Sequence, residues 1–174
     1  MKYLCVLASA GLALSASLTE AMETTFGNWQ TGLDGSTSAS MIYTNNDLGE
    51  IFAHICEFES EKCHFRVSFP LTCTEKAKSP ILINGYLGSQ SSVAECVRGE
   101  RGVFELKDFK LVDDLVRSSG SIGFAIPEGK SGFSVVEFLT HDSKRALNFN
   151  TSQITFHKVA SKAWEEHCRS SGGC

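Results

Sequence analysis

The stretch CEFESEKCHF places Cys56 and Cys63 seven positions apart, with His54 and His64 close by. Two thiols and two imidazoles at that spacing are compatible with three chemistries: a metal site, a dithiol redox pair, or a disulfide staple. Alternation separates them. In EIFAHICEFESEKCHFRVSF the apolar positions Phe52, Cys56 and Phe58 precede the polar ESEK, and Cys63, Phe65, Val67 and Phe69 follow it. Period two predicts two strands joined by a short turn, each with one face toward a core. On that register His54 shares a face with Cys56, whereas His64 points away from Cys63, so a four-ligand cage would have to break the alternation. A redox pair is disfavoured because the C-x-x-C spacing at a helix start is absent. Directly opposed strand residues have Cα atoms about 4.5–5.5 Å apart, within reach of a disulfide. The expectation is a staple across a hairpin, with no metal and no cofactor.

Other chemistry-bearing groups are weaker. His141, Asp142 and Ser143 are consecutive in THDSKR. A catalytic base must lie between nucleophile and orienting acid in space, which neighbours in a tight turn do not achieve. Asp113 and Asp114 fall in a helical pattern, where adjacent side chains diverge by about 100°. No G-x-S-x-G elbow, H-E-x-x-H helix, phosphate-binding glycine loop or EF-hand loop occurs. Asn150 opens an N-T-S glycosylation acceptor. The residues therefore predict no catalytic site. Trp29, Tyr43, Tyr86 and Trp164 are the candidate aromatic binding positions, each also suited to a core.

These groups need a compartment and a scaffold. Residues 1–21 hold Lys2, an apolar run from Tyr3 to about Ala16, and small residues at Thr19 and Ala21. That pattern predicts a secretory signal peptide cleaved after Ala21, or alternatively after Ser17. The run is shorter than the roughly 20 apolar residues needed to span a bilayer, so a periplasmic or secreted protein is expected. The formal charge of −4 is unchanged by removing Lys2 and Glu20, one of each sign. Basic residues cluster only in pairs, which argues against nucleic acid as a partner. Six cysteines then remain: Cys56, Cys63, Cys73, Cys96, Cys168 and Cys174. An even count in an exported chain favours disulfides. A Cys73–Cys96 bridge would close the loop beyond the first hairpin. Cys168 and Cys174 are open to pairing with each other or with the body.

Strand-like runs continue in FGNWQT, SASMIYT, SPILINGYL and SSVAECV, with Asn84-Gly85 as a two-residue turn signal. In KDFKLVDDLVRSSG the period changes. Phe109, Val112, Leu115 and Val116 form one helical stripe, Asp108 can cap it, and Gly120 follows its end. SIGFAIPEGKSGFSVVEFL reads as a second hairpin around PEGKSG, and residues 151–168 as a helix capped by Asn150 or Thr151. The expected architecture is mainly β: an antiparallel β-sandwich over residues 22–168 with one short internal helix and a C-terminal helix, then a flexible tail over 169–174.

FGNW after the leader, AECVRGERGVFEL, and the block from KDFKLVDDLVRSSG to THDSKRAL resemble the invasion-associated locus B family of bacterial exported proteins. The resemblance implies a periplasmic or envelope β-sandwich with a role in host-cell invasion and no catalytic site to transfer. The chain departs from the family pattern at QTGLDG, which lacks a cysteine, and in holding only Cys96 where the family has a close pair. The functional expectation is a non-catalytic binding or interaction protein acting on a protein or envelope component. Its alternatives are a hydrolase or thiol-disulfide enzyme with an unrecognised site, and a secreted inhibitor or immunity-type protein.

Overall fold

The computed structural model describes residues 25–34, 38–99, 102–129 and 132–171. The expected signal peptide, its cleavage position and Cys174 lie outside the described residues. Ten strands are formed: β1 (Thr25–Phe26), β2 (Trp29–Asp34), β3 (Ala39–Asn45), β4 (Ile51–Glu57), β5 (Lys62–Ser68), β6 (Lys78–Gly85), β7 (Gly88–Arg98), β8 (Val103–Leu106), β9 (Ser121–Glu128) and β10 (Gly132–Leu139). Two helices complete the chain, α1 (Phe109–Ser118) and α2 (Ser143–Ser170). The fold is mainly β and antiparallel, with a short internal helix and a C-terminal one, as the alternation and the change of period predict.

All ten strands belong to one open sheet in the order β1-β2-β3-β4-β5-β8-β7-β6-β9-β10. The sheet coils so that its two halves face each other across one core. Phe52 on β4 lies 5.0 Å from Phe124 on β9 and 5.7 Å from Phe138 on β10, ring centre to ring centre. Thr44 on β3 donates to the carbonyl of Leu139 on β10 at 3.3 Å. The sandwich is thus made by folding one sheet over itself, the right-handed strand twist supplying the curvature. Alternation assigns the inner face: Ser40, Ile42 and Thr44 on β3 stand opposite Cys56, His54 and Phe52 on β4.

One stretch expected to be a strand contains a turn, and one expected turn is displaced by two residues. FGNWQT bends at Gly27-Asn28, with Phe26 paired to Trp29. Gly27 has φ +59°, and a Cβ there would meet the His141 carbonyl oxygen at 2.7 Å, so both backbone conformation and space require glycine. Asn84-Gly85 is the end of β6, and the two-residue connection is Tyr86-Leu87, with Gly85 paired to Gly88 at φ +79°.

α1 begins where expected: the Asp108 carboxylate accepts from the Leu111 backbone N–H at 3.1 Å, and Val112, Leu115 and Val116 are buried. α2 corrects the expectation of a start near Asn150 or Thr151. It begins at Ser143 behind Asp142, and its only buried residues are Ser143, Ala146, Leu147 and Asn150. Those four occupy i, i+3, i+4 and i+7, one helical face; the polar composition of HDSKR concealed it. The helix also continues through Arg169 and Ser170, where the flexible tail was expected to begin.

Candidate functional site

The β4–β5 hairpin carries both faces on which function could be built. Cys56 and Cys63 are direct cross-strand partners and form a disulfide, with Cα atoms 4.0 Å apart. Cys73 and Cys96 form the second expected bridge. Cys168 is disulfide-bonded as well, although the choice between Cys174 and the body lies outside the described residues. Two bridges within the described body fit an oxidising compartment. No helix among the described residues is long and apolar enough to cross a membrane.

Inside the hairpin, the staple packs on a buried polar cluster. The Asn150 amide donates to the His54 carbonyl at 2.9 Å and to His54 Nδ1 at 3.0 Å, with Cys56 Sγ at 3.5 Å. Ser40 Oγ donates to the Asn150 carbonyl at 3.4 Å. His54 is thereby held as the neutral tautomer that accepts at Nδ1. Burial, reinforced by the positive charge of Arg117 and by His64, pushes its pKa down to about 3. His54, Cys56 and Cys63 bring their potential metal-ligating atoms within 4.8 Å of one another. The sulfurs are joined to each other, however, and a bridged sulfur offers no thiolate. The opening stretch is a staple backed by a neutral imidazole.

Outside the hairpin lies a groove of about 740 Å³. Met41, Ile51, Ala53 and Ile55 supply apolar lining, and Arg66, Arg98, Glu50 and Ser68 polar groups. A smaller hollow of about 360 Å³ adjoins it, sharing Met41, Ile55 and Arg66 and adding Glu57, Glu59 and His64. The groove's far wall is preset. Gly99 passes so close to the Cys73 carbonyl that a Cβ would lie 2.6 Å from it. Cys73 N–H donates to Gly99 O at 3.0 Å, Phe69 N–H to Gly102 O at 3.1 Å, and the Cys73–Cys96 bridge locks the crossing.

The groove's charges are unevenly satisfied. Glu105 accepts from Lys107 Nζ at 2.8 Å, whereas Arg66 approaches the other carboxylate oxygen only to 3.6 Å. Burial pushes the Glu105 pKa up, but the Lys107 hydrogen bond and the charges of His64, Lys107 and Arg66 prevail and hold it below the ordinary value. Lys107 is raised in return, chiefly by its hydrogen bond to Glu105. His64 is lowered by burial first and then by Arg66, with Glu105 and Glu57 opposing. Arg66 Nε and His64 Nε2 are buried without a hydrogen-bond partner among the described residues.

The four aromatic candidates do not converge. Trp29 is 0% exposed and packs on Phe52 at 5.8 Å, so it is a core residue and no surface anchor. Tyr43 is half-buried on the outer face of β3, and Tyr86 is 59% exposed in the β6–β7 turn. Trp164 is 63% exposed on the distal part of α2, beside Phe156 at 70% and Val159. After Asn150 no residue of that helix is buried: Gln153 and Ile154 are half-buried, His157 stacks on Phe58 at 4.3 Å and Lys158 pairs with Glu61 at 2.7 Å. Ser143 is buried, its hydroxyl donating to the Val116 carbonyl at 2.7 Å, which removes it from any relay with His141 and Asp142. Asn150 is 1% exposed with its amide engaged, so the folded chain offers no glycosylation acceptor there.

Asn150 and Arg66 were missed in sequence. Asn150 stands out in the sequence only as a helix cap and a glycosylation acceptor, and Arg66 does not stand out at all, because Lys62, His64, Arg66 and Ser68 alternate along β5 in the pattern of a solvated face. No family model, curated protein or solved structure matches this chain.

Proposed function

We propose that this chain is an exported, non-catalytic interaction protein of the periplasm or cell exterior that engages a partner protein through the distal half of α2. The observation carrying this reading is the exposure of Phe156, Val159 and Trp164 on a helix whose buried residues all lie in its first eight positions. Phe156, Ala160, Ala163 and Trp164 follow at spacings of four, three and one, which puts them on one stripe. Contiguous exposed apolar surface on a folded domain marks an interaction site, and Trp is favoured at the centre of such sites. The two intra-body disulfides support an oxidising compartment, and the resemblance to the invasion-associated locus B family supports an envelope role at the host interface. A thiol-disulfide enzyme is the less supported reading, because Cys56 is buried with its sulfur against the Asn150 amide of α2.

The test is capture from envelope extract on immobilised protein, comparing wild type with the F156A/W164A double variant. A protein retained by wild type and lost by the variant, at unchanged melting temperature, supports the reading. Equal retention by both, or turnover of a substrate abolished by a single polar substitution, sinks it.

A further inference from the structure

We propose that the outer-face groove over β3, β4 and β5 is a binding site for a free medium-chain fatty acid, its carboxylate held at Arg66 and its alkyl chain laid along the apolar outer residues of β4. This site is separate from α2 and does not depend on the reading above.

Shape comes first. The volume of about 740 Å³ falls within the roughly 300–1,000 Å³ typical of small-ligand sites. Ile51, Ala53 and Ile55 are successive outward positions of one strand, so they extend for about 13 Å at the strand rise. Met41 stands directly opposite Ile55, widening that strip into a trough. A linear chain fits such a trough better than a compact ring system.

Charge selects the head. Arg66 and Arg98 line the groove against a single carboxylate, Glu50, which already accepts from Ser68 Oγ at 2.9 Å. Arg66 is paired only loosely, with Glu105 at 3.6 Å, while Lys107 holds that carboxylate at 2.8 Å. The Arg66 side chain is 35% exposed where it lines the groove, and its terminal N–H donors can meet a ligand carboxylate in the fork geometry that suits arginine. Glu57 and Glu59, in the adjoining hollow, repel an anionic head from the hairpin turn, which leaves Arg66, opposite Ala53 at the middle of the strip, as the place for the carboxylate.

Rigidity makes the site ready. The Cys73–Cys96 bridge and the close passage of Gly99 over Cys73 fix the wall opposite β4. Binding then requires little ordering of the protein.

The experiment is titration calorimetry of the mature protein with dodecanoate, dodecanol and dodecyltrimethylammonium, each below its micelle concentration. The expected result is one dodecanoate per chain, with dodecanol at least about tenfold weaker and the cationic amphiphile weaker still. Arg66→Gln is expected to lower dodecanoate affinity about tenfold and to leave dodecanol binding unchanged. Met41→Asp, placed in the apolar lining, is expected to weaken both. Arg98→Gln, on an exposed side chain, gives a smaller loss specific to dodecanoate and serves if Arg66→Gln does not fold. Equal affinity for dodecanoate and dodecanol, an unchanged affinity in a folded Arg66→Gln or Arg98→Gln protein, or no saturable binding of dodecanoate would each overturn the proposal.

Discussion

His54 and His64 lie on adjacent strands of one hairpin, with His54 paired to Phe65 and His64 to Ile55, and they face opposite sides of the sheet. The inner histidine receives its hydrogen-bond donor from Asn150, 96 positions away on α2, and becomes a neutral, fully buried part of the core. The outer one receives charges from its own and neighbouring strands, Arg66, Glu57 and Glu105, and keeps a buried ring nitrogen without a hydrogen-bond partner among the described residues. The difference teaches that polarity on a strand has no fixed meaning. A polar group closed off by a helix serves stability, while a polar group left at a groove remains available to a ligand.

The largest test of that contrast is the deletion of apolar bulk on each side. Phe52→Ala, in the aromatic cluster of the inner face, is expected to cost about 3–5 kcal/mol. Ile51→Ala, one residue along and 43% exposed on the outer face, is expected to cost less than about 1 kcal/mol. Denaturant unfolding of both variants measures the gap, and equal losses would mean that the two faces are not distinguished by packing.

A smaller effect is expected from removing polar partners. Asn150→Leu leaves the His54 carbonyl and Nδ1 without the donor they share, a loss of about 1–3 kcal/mol. His64→Leu removes a ring whose Nε2 has no hydrogen-bond partner among the described residues, and its unfolding midpoint is expected to stay within about 0.5 kcal/mol of wild type. A neutral Asn150→Leu would remove the inner cluster from the account of stability.

The last test is that of pH. His54 in the folded protein resists protonation until about pH 3, whereas the unfolded chain takes up the proton near 6.5. Its stabilising contribution is therefore complete above pH 6.5 and falls as pH drops toward 3, by up to about 1.4 kcal/mol per pH unit. Stability measured from pH 7 to 4 should decline less steeply in His54→Gln than in wild type. His64, lowered in the same direction, leaves a shallower residual slope in that variant. Parallel profiles for wild type and His54→Gln would show that His54 is not the acid-sensitive group.

Much of this was legible in the residues because it is local. Cys56 and Cys63 could be placed opposite each other because strand period and turn length together set the register of a hairpin. α1 could be read because its stripe and its Asp108 cap lie within one short segment. The misses have local causes too. The extended reading of FGNW ignored how readily glycine turns a chain, and the start of α2 was hidden because three of its four buried positions, Ser143, Ala146 and Asn150, are small or polar.

The sequence by itself determined the mainly β class, the Cys56–Cys63 staple, and the side of the hairpin on which each histidine falls, since all of these follow from periodicity and short-range reach. Only the tertiary structure decided that one sheet folds over itself into a sandwich, that Asn150 closes the inner face, and that Arg66 faces a groove with its Nε unsatisfied. Those outcomes depend on contacts between residues as far apart as Ser40 and Asn150, 110 positions, and alternation along a strand carries no record of what another strand or helix will lay across it.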